Sequence, residues 1–249
     1  MKVKLYDCVK HWNNYDQIYL YSDPHFSDEE MKVLRKNYIG DEEQIKRINS
    51  VCNKRTLFVC LGDVGNTDFI KRIKGDKVLI MGNHDSGASN YKRIQSKELL
   101  SDDIEDHYKY LSTKYHNYII NKLWSDETRI LGKATFYHLD NCLFDEVYEG
   151  ALIINEKIIL SHEPVDIPFM LNIHGHDHSN WGYQDNNHIN LCAEHIDYTP
   201  VSLKSIVESG RLKNIDSIHR MTIDNATERA KERGYSLRNV KKEEETKKE

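Results

Sequence analysis

The residues able to do chemistry in this chain fall into five short clusters, met in order along the sequence. They are Asp23-Pro-His25, Gly62-Asp63, Gly82-Asn83-His84-Asp85, Ser161-His162 and His174-Gly175-His176-Asp177-His178. Together they offer carboxylates, imidazoles and one amide oxygen, with no thiolate. That donor set suits hard to borderline divalent cations, manganese first, with iron, nickel, zinc or magnesium as alternatives. There are more donors than one ion needs. Two ions about 3.5–4 Å apart would clamp the attacking and leaving oxygens of a displacement at phosphorus. Set against the carboxylates of Asp23 and Asp63, two such ions leave surplus positive charge for a hydroxide and a phosphodiester anion. Each motif is weak alone; the strength lies in their order and setting.

The setting is a series of short apolar runs, each leading into one cluster. Ile18–Ser22, Thr56–Leu61, Lys77–Met81, Lys157–Ser161 and Leu171–Ile173 are runs without alternation, which predicts strands buried on both faces. Between the first three lie helical patterns. Asp41–Asn53 carries Ile45 and Ile48 behind an acidic first turn, and Thr67–Lys74 carries Phe69, Ile70 and Ile73, with Gly75 placed to end it. Alternating strands and helices predict an α/β fold built by crossover connections. In such sheets ligands bind beyond the carboxyl ends of the strands, where these clusters sit. His188–Leu191 reads as a further strand and Val201–Glu208 as a helix ended by Gly210.

The segment of about residues 86–145 reads differently. Ser101 can cap a helix, Asp102 and Asp103 suit its first turn, and apolar residues recur at Ile104, Tyr108, Leu111, Tyr115, Ile119 and Leu123. That spacing predicts an amphipathic helix, so the segment is expected to be a helical insertion, most simply a packed-on cap. Strand signals resume at Leu152. The tail of about residues 235–249 mixes both charge signs, as a solvated helix or frayed end does.

With 249 residues, one domain over residues 1–249 carrying that insertion is the expectation. At 39% hydrophobic and 30% charged, the chain has too many apolar residues for disorder. The longest apolar run, Leu57–Leu61, is far too short to span a bilayer, and the N-terminus lacks the apolar stretch of a secretory signal. A formal net charge of -5 disfavours a sequence-independent nucleic-acid binder, which gains affinity by neutralising phosphates. Five cysteines, an odd number, without a CxxC argue against a disulfide framework and a thiolate zinc site. The expected compartment is a reducing cytoplasm.

The ordered set Asp-x-His, Gly-Asp, Gly-Asn-His-Asp, Ser-His and Gly-His-x-His resembles that of the calcineurin-like metallophosphoesterase superfamily, its small bacterial and phage-type members above all. The resemblance covers roughly residues 15–90 and 145–205. It implies a two-layered β-sandwich flanked by helices and a dinuclear metal site. One ion would be held by Asp23, His25 and His178, the other by Asn83, His162 and His176, with Asp63 bridging both. His84 would sit near the scissile phosphate, stabilising its charge or protonating the leaving oxygen. Asn66, Asp85 and His174 are candidates for support behind the ligands, His174 most simply as a structural histidine.

Three departures from the superfamily's protein phosphatase branch refine this. That branch has an Asp three residues after the bridging Asp and then a phosphate-binding Arg; here Asn66 and Thr67 stand there. The missing Arg argues against a protein phosphatase. The missing carboxylate removes one partner that would raise the pKa of His84, so His84 is expected to stabilise charge more than donate a proton. Third, Pro24 between Asp23 and His25 favours an extended predecessor, as a strand exit requires.

The function implied is that of a metal-dependent phosphoesterase acting on small, nucleotide-type phosphodiesters. A hydroxide held by the dinuclear centre, its water pKa lowered to ~7, would attack phosphorus in line while the ions and His84 spread the developing charge. Alternatives are a phosphomonoesterase or a nuclease of the same fold, for which Tyr108, Tyr110, Tyr115 and Tyr118 could form a stacking platform. A non-enzymatic metal-binding scaffold is a further alternative, but such a scaffold should show damaged ligand positions, and none is damaged here.

Overall fold

A computed structural model describes residues 3–85, 91–100, 118–122, 130–139, 143–179, 185–215 and 217–233. The fold is α/β with mixed sheets. Strands β1 (Gln17–Tyr21), β2 (Thr56–Cys60) and β3 (Asp76–Ile80) alternate with α1 (Glu29–Leu34), α2 (Asp41–Val51) and a 3-10 helix at Thr67–Arg72. After an antiparallel trio, β4 (Tyr91–Leu100), β5 (Tyr118–Lys122) and β6 (Ile130–Leu139), come β7 (Glu146–Tyr148), β8 (Leu152–Asn155), β9 (Ile158–Leu160), β10 (Leu171–His174), β11 (His188–Asn190) and β12 (Val201–Ser202). Helices α3 (Leu203–Glu208) and α4 (Ile218–Glu232) follow.

The first sheet has the order β12-β1-β2-β3-β7, with β1, β2, β3 and β7 parallel and β12 antiparallel to β1. The second has the order β11-β10-β9-β8, with β9, β10 and β11 parallel and β8 antiparallel. One core cluster lies between them. It takes Leu20, Leu57, Val59, Val78 and Ile80 from the first sheet and Ile154, Ile158, Leu160, Leu171 and Ile173 from the second. The opposite face of the first sheet, carrying Tyr21, Phe58, Cys60 and Leu79, packs on Ile45 and Ile48 of α2 and on Ile70 and Ile73. Because side chains alternate across a strand, β2 sends Leu57 and Val59 one way and Phe58 and Cys60 the other. All five of its residues are buried, which is why the run shows no polar alternation.

Several expectations need correction. The insertion is β-structured at 91–100, 118–122 and 130–139, where β4 and β5 both pair antiparallel with β6. Ile119, placed by its spacing on a helix, lies in β5 opposite Tyr137. The Tyr-Ile-Ile run at 118–120 is aromatic and β-branched; such side chains lose χ1 freedom in helices and fit a pleated surface. That preference, with a partner strand at hand, outweighs the 3–4 spacing. Residues 101–117 of the expected helix, Leu123 and the tail at 235–249 lie outside the described residues. Thr67–Arg72 is a 3-10 helix, and the expected helix from Val201 begins only at Leu203, since Val201 and Ser202 pair with β1. Among the described residues no helix is long and apolar enough to cross a membrane.

Candidate metal centre

All five clusters reach one edge of the molecule because the strands feeding them run parallel. Asp23 and His25 follow β1, Asp63 follows β2, Asn83 and His84 follow β3, His162 follows β9, and His176 and His178 follow β10. Main-chain bonds tie the loops together. Asp23 N donates to Gly62 O (3.1 Å), His25 N to Asp63 O (3.0 Å) and Gly175 N to His162 O (2.9 Å). His176 N donates to Asp23 Oδ2 at 2.9 Å, joining a loop of the second sheet to one of the first. Asp23, His25, Asp63 and His176 have φ of 55°, 44°, 51° and 66°, so Asp23 does not take the extended backbone expected before Pro24; the loop contacts that hold it outweigh that preference. Left-handed backbone at a non-glycine residue costs on the order of 1–3 kcal/mol and persists where the surroundings enforce it, typically at functional sites.

Two glycines give the site its closeness. A Cβ at Gly62, whose φ is +104°, would lie 2.5 Å from His162 Nδ1. A Cβ at Gly175 would overlap Ser22 Oγ and Asp23 Oδ2.

The side chains gather into two groups able to hold a metal ion, Asp23–His25–His178 and Asp63–His162–His176. In the first, Asp23 Oδ1 lies 3.8 Å from His25 Nε2 and 3.4 Å from His178 Nε2. The far ring nitrogens are engaged: His25 Nδ1 meets Asp28 Oδ2 at 3.1 Å and His178 Nδ1 meets Glu194 Oε1 at 2.6 Å. Each carboxylate accepts a hydrogen bond from Nδ1–H and so turns Nε2 inward, as outer partners of metal-bound imidazoles do. In the second group, His162 Nδ1 donates to Leu61 O at 2.8 Å. Its Nε2 lies 2.8 Å from Asn83 Oδ1 and 3.1 Å from His176 Nδ1. Between the groups, Asp63 Oδ2 is 3.6 Å from His25 Nε2 and 3.4 Å from His162 Nε2.

These contacts could hold a cation. Asp23 Oδ1 and His25 Nε2 are buried and make no hydrogen bond, a costly state for polar atoms. His162 directs Nε2 at the acceptor oxygen of Asn83, which is favourable only with a proton or a cation between them. Burial lowers the basicity of His162, yet the carboxylates of Asp63 and Asp23 push its pKa up to about 9. His178 likewise rises to about 9 against burial, through Asp23 and Glu194. Asp23 is opposed by burial but held well below the usual carboxylate range by the imidazoles of His178 and His25. The cluster thus draws in positive charge, and hard oxygens with inward-facing imidazole nitrogens match divalent-ion chemistry.

The remaining expected residues fall into place around these groups. Asp85 lies behind the ligands: its Oδ2 accepts from Asp63 N (2.9 Å) and Gly82 N (2.8 Å), and its Oδ1 from Val64 N (3.1 Å). His84 is exposed at the rim, its N–H donating to Asp63 Oδ1 at 2.9 Å and its ring 5.5 Å from that of His25. Asn66 caps the 3-10 helix by accepting from Asp68 N, and its amide reaches Ser27 Oγ. Among its described contacts none reaches either ligand group, and it serves the turn. His174 is buried against the ring of His188, with Nδ1 bonded to Gly175 O.

Sequence reasoning missed Asp28, Glu194 and Cys192. Asp28 sits in a helix start, where its capping role is the readable signal; nothing local marks Glu194. Cys192, with His178 and Glu194, completes a third group of potential ligands. Burial pushes its thiol well above the ordinary value, and Sγ donates to Asp23 Oδ2 at 3.4 Å, so it acts as a donor to a ligand. Beside the second group opens a cavity of about 310 Å³, lined by Asn83, His162, Ser161, Glu149, Glu163 and Gly82 among others.

No family model and no curated protein matches the chain. Among solved structures, a protein of unknown function from Aquifex aeolicus is similar, with a TM-score of 0.48 and 21% identity, over 78% of this chain and 98% of that one.

Proposed function

We propose that the protein is a metal-dependent phosphoesterase of the calcineurin-like metallophosphoesterase type, acting on small phosphodiesters with two divalent ions, manganese first among them. The observation that carries this reading is Asp63 Oδ2, which lies 3.6 Å from His25 Nε2 of one ligand group and 3.4 Å from His162 Nε2 of the other. One carboxylate oxygen facing both groups is what a shared pair of ions requires. Such ions would supply Lewis acidity and neutralise phosphate charge; the rest falls to the side chains. Asp28, Glu194 and Leu61 O keep His25, His178 and His162 in the tautomer whose Nε2 faces inward. His84, at the rim and anchored through its N–H to Asp63, would meet a phosphoryl oxygen and stabilise its developing charge.

A nuclease is disfavoured, because Glu149 and Glu163 line the cavity beside the second group and would repel a polyanionic strand. The four described cysteines are all free thiols, in keeping with action in a reducing cytoplasm. The test is turnover of bis(p-nitrophenyl) phosphate beside p-nitrophenyl phosphate by metal-stripped protein, with Mn²⁺, Ni²⁺, Zn²⁺ and Mg²⁺ restored in turn. Metal-dependent diester hydrolysis, lost in Asp63→Ala, is expected. Hydrolysis of the monoester alone would make it a phosphatase, and two bound ions without turnover would make it a scaffold.

A further inference from the structure

We propose that Arg35 is a positioning residue for the first ligand group, a role that rests on the metal-centre reading above. Arg35 is the residue that ends α1, its N–H donating to Met31 O at 3.0 Å. Its side chain is 1% exposed. A guanidinium so deeply buried is tolerated only when it is paired, and its two backbone hydrogen bonds and its ion pair reach residues of the centre, with Tyr198 beside it. Nη2 donates to Asp23 O at 2.6 Å and Nη1 to Pro24 O at 3.4 Å. Nε lies 3.1 Å from Glu194 Oε2, while the other oxygen of that carboxylate holds His178 Nδ1.

One side chain therefore grips two ligand-bearing regions from different sheets. On one side are the carbonyls of the Asp23–Pro24 segment, where Asp23 and His25 hold left-handed backbone. On the other is the carboxylate that orients His178. Gln44 Nε2 adds a bond to Pro24 O at 3.1 Å, so the carbonyl is held from α2 as well. The planar fork of an arginine can serve three acceptors at once; a lysine ammonium on a flexible stem cannot reproduce that spacing. At the other end of α1, Asp28 caps the helix through Oδ1 and meets His25 through Oδ2. No residue of α1 itself is buried. The helix spans the distance between two residues that orient Asp23, His25 and His178, and core packing is not its task.

The second group has no contact with Arg35 among those described, so the role is selective. The experiment uses the full chain stripped of metal and titrated calorimetrically with Mn²⁺. Retained ions are counted by elemental mass spectrometry after desalting, and thermal melts check the fold. Arg35→Lys and Glu194→Gln are compared with Asn83→Ala, which removes an amide oxygen facing His162 and His176 of the second group. The parent protein is expected to bind two ions. Arg35→Lys and Glu194→Gln are each expected to weaken one of them by about 10–100-fold, the range for outer partners of metal ligands, and to leave the other unchanged. Asn83→Ala should weaken the other ion. Two ions in the parent with no selective loss in either variant would overturn the positioning role alone. Absence of ion binding by the parent would overturn the metal-centre reading and this role with it. Should Arg35→Lys fail to fold, Glu194→Gln decides.

Discussion

The two halves of the candidate centre share Asp63 but are held in place by different means. In the first half, side chains do the holding: Asp28 on His25, Glu194 on His178, and Arg35 behind Glu194. In the second, the main chain does it, through Leu61 O on His162. Burial differs too. Asp23 is 0% and His25 2% exposed, whereas Asn83, which lines the cavity, and His176 are exposed. A half held by side chains can be retuned one residue at a time without disturbing the sheets. A half held by a strand-end carbonyl is inseparable from the fold.

The sharpest break of that comparison is removal of what the halves share. Asp63→Ala is expected to cost both ions, each by well over the ~100-fold of an outer-partner loss, and to abolish turnover. Retention of one ion at parental affinity, measured by calorimetry, would show that the halves are independent. Next in size is Gly175→Ala. Its new methyl group would overlap Ser22 Oγ and Asp23 Oδ2, so overpacking should destabilise the metal-free chain by about 1–3 kcal/mol and shift Asp23 first. A melting temperature equal to the parent's would mean that the loop yields freely.

Smaller and more selective is Asp28→Asn. Asparagine caps a helix as well as aspartate does, so α1 should persist while His25 loses its carboxylate. One ion is expected to weaken by about 10-fold, read as a single altered step in a two-step titration. Loss in both steps would contradict a half held by its own side chains.

The smallest effect lies away from both halves and serves as their reference. His11 Nε2 is 2.5 Å from Glu146 Oε1, and this bond, against burial, raises the His11 pKa above 6.5. A raised histidine stabilises the fold fully below pH 6.5 and loses that contribution as pH climbs through its folded value. The imidazole is half exposed, so the effect is screened and small. With metal filling the centre, melting temperatures should decline slightly above pH 6.5, and Glu146→Gln should flatten the decline; the metal-free chain should decline further, as His162 and His178 lose their protons toward pH 9. A slope that vanishes on adding metal would place its origin in the centre instead.

Much of this arrangement was legible in the residues. Unalternating runs such as Leu57–Leu61 announce strands covered on both faces, and β2 is so covered. The cluster after each run could be expected beyond a strand's carboxyl end, where backbone polar groups are free to turn toward a ligand. The insertion misled because a spacing of three and four residues also arises by chance in a run such as Tyr118–Lys122. The partner strand that settles the matter lies more than ten residues away in β6.

By itself, then, the sequence determined the donor types, their order and their attachment to strands, because local composition and periodicity are written in consecutive residues. The resemblance implied how the donors group, but only the tertiary structure set the distances and outer partners with which they face one another. It placed Asp63 Oδ2 between two histidines from different loops, set Glu194 behind His178, and made Arg35 the link between them. Those relations join residues as far apart as Asp23 and Glu194. They depend on how two sheets pack and which carbonyls a buried charge can reach, and no local pattern records either.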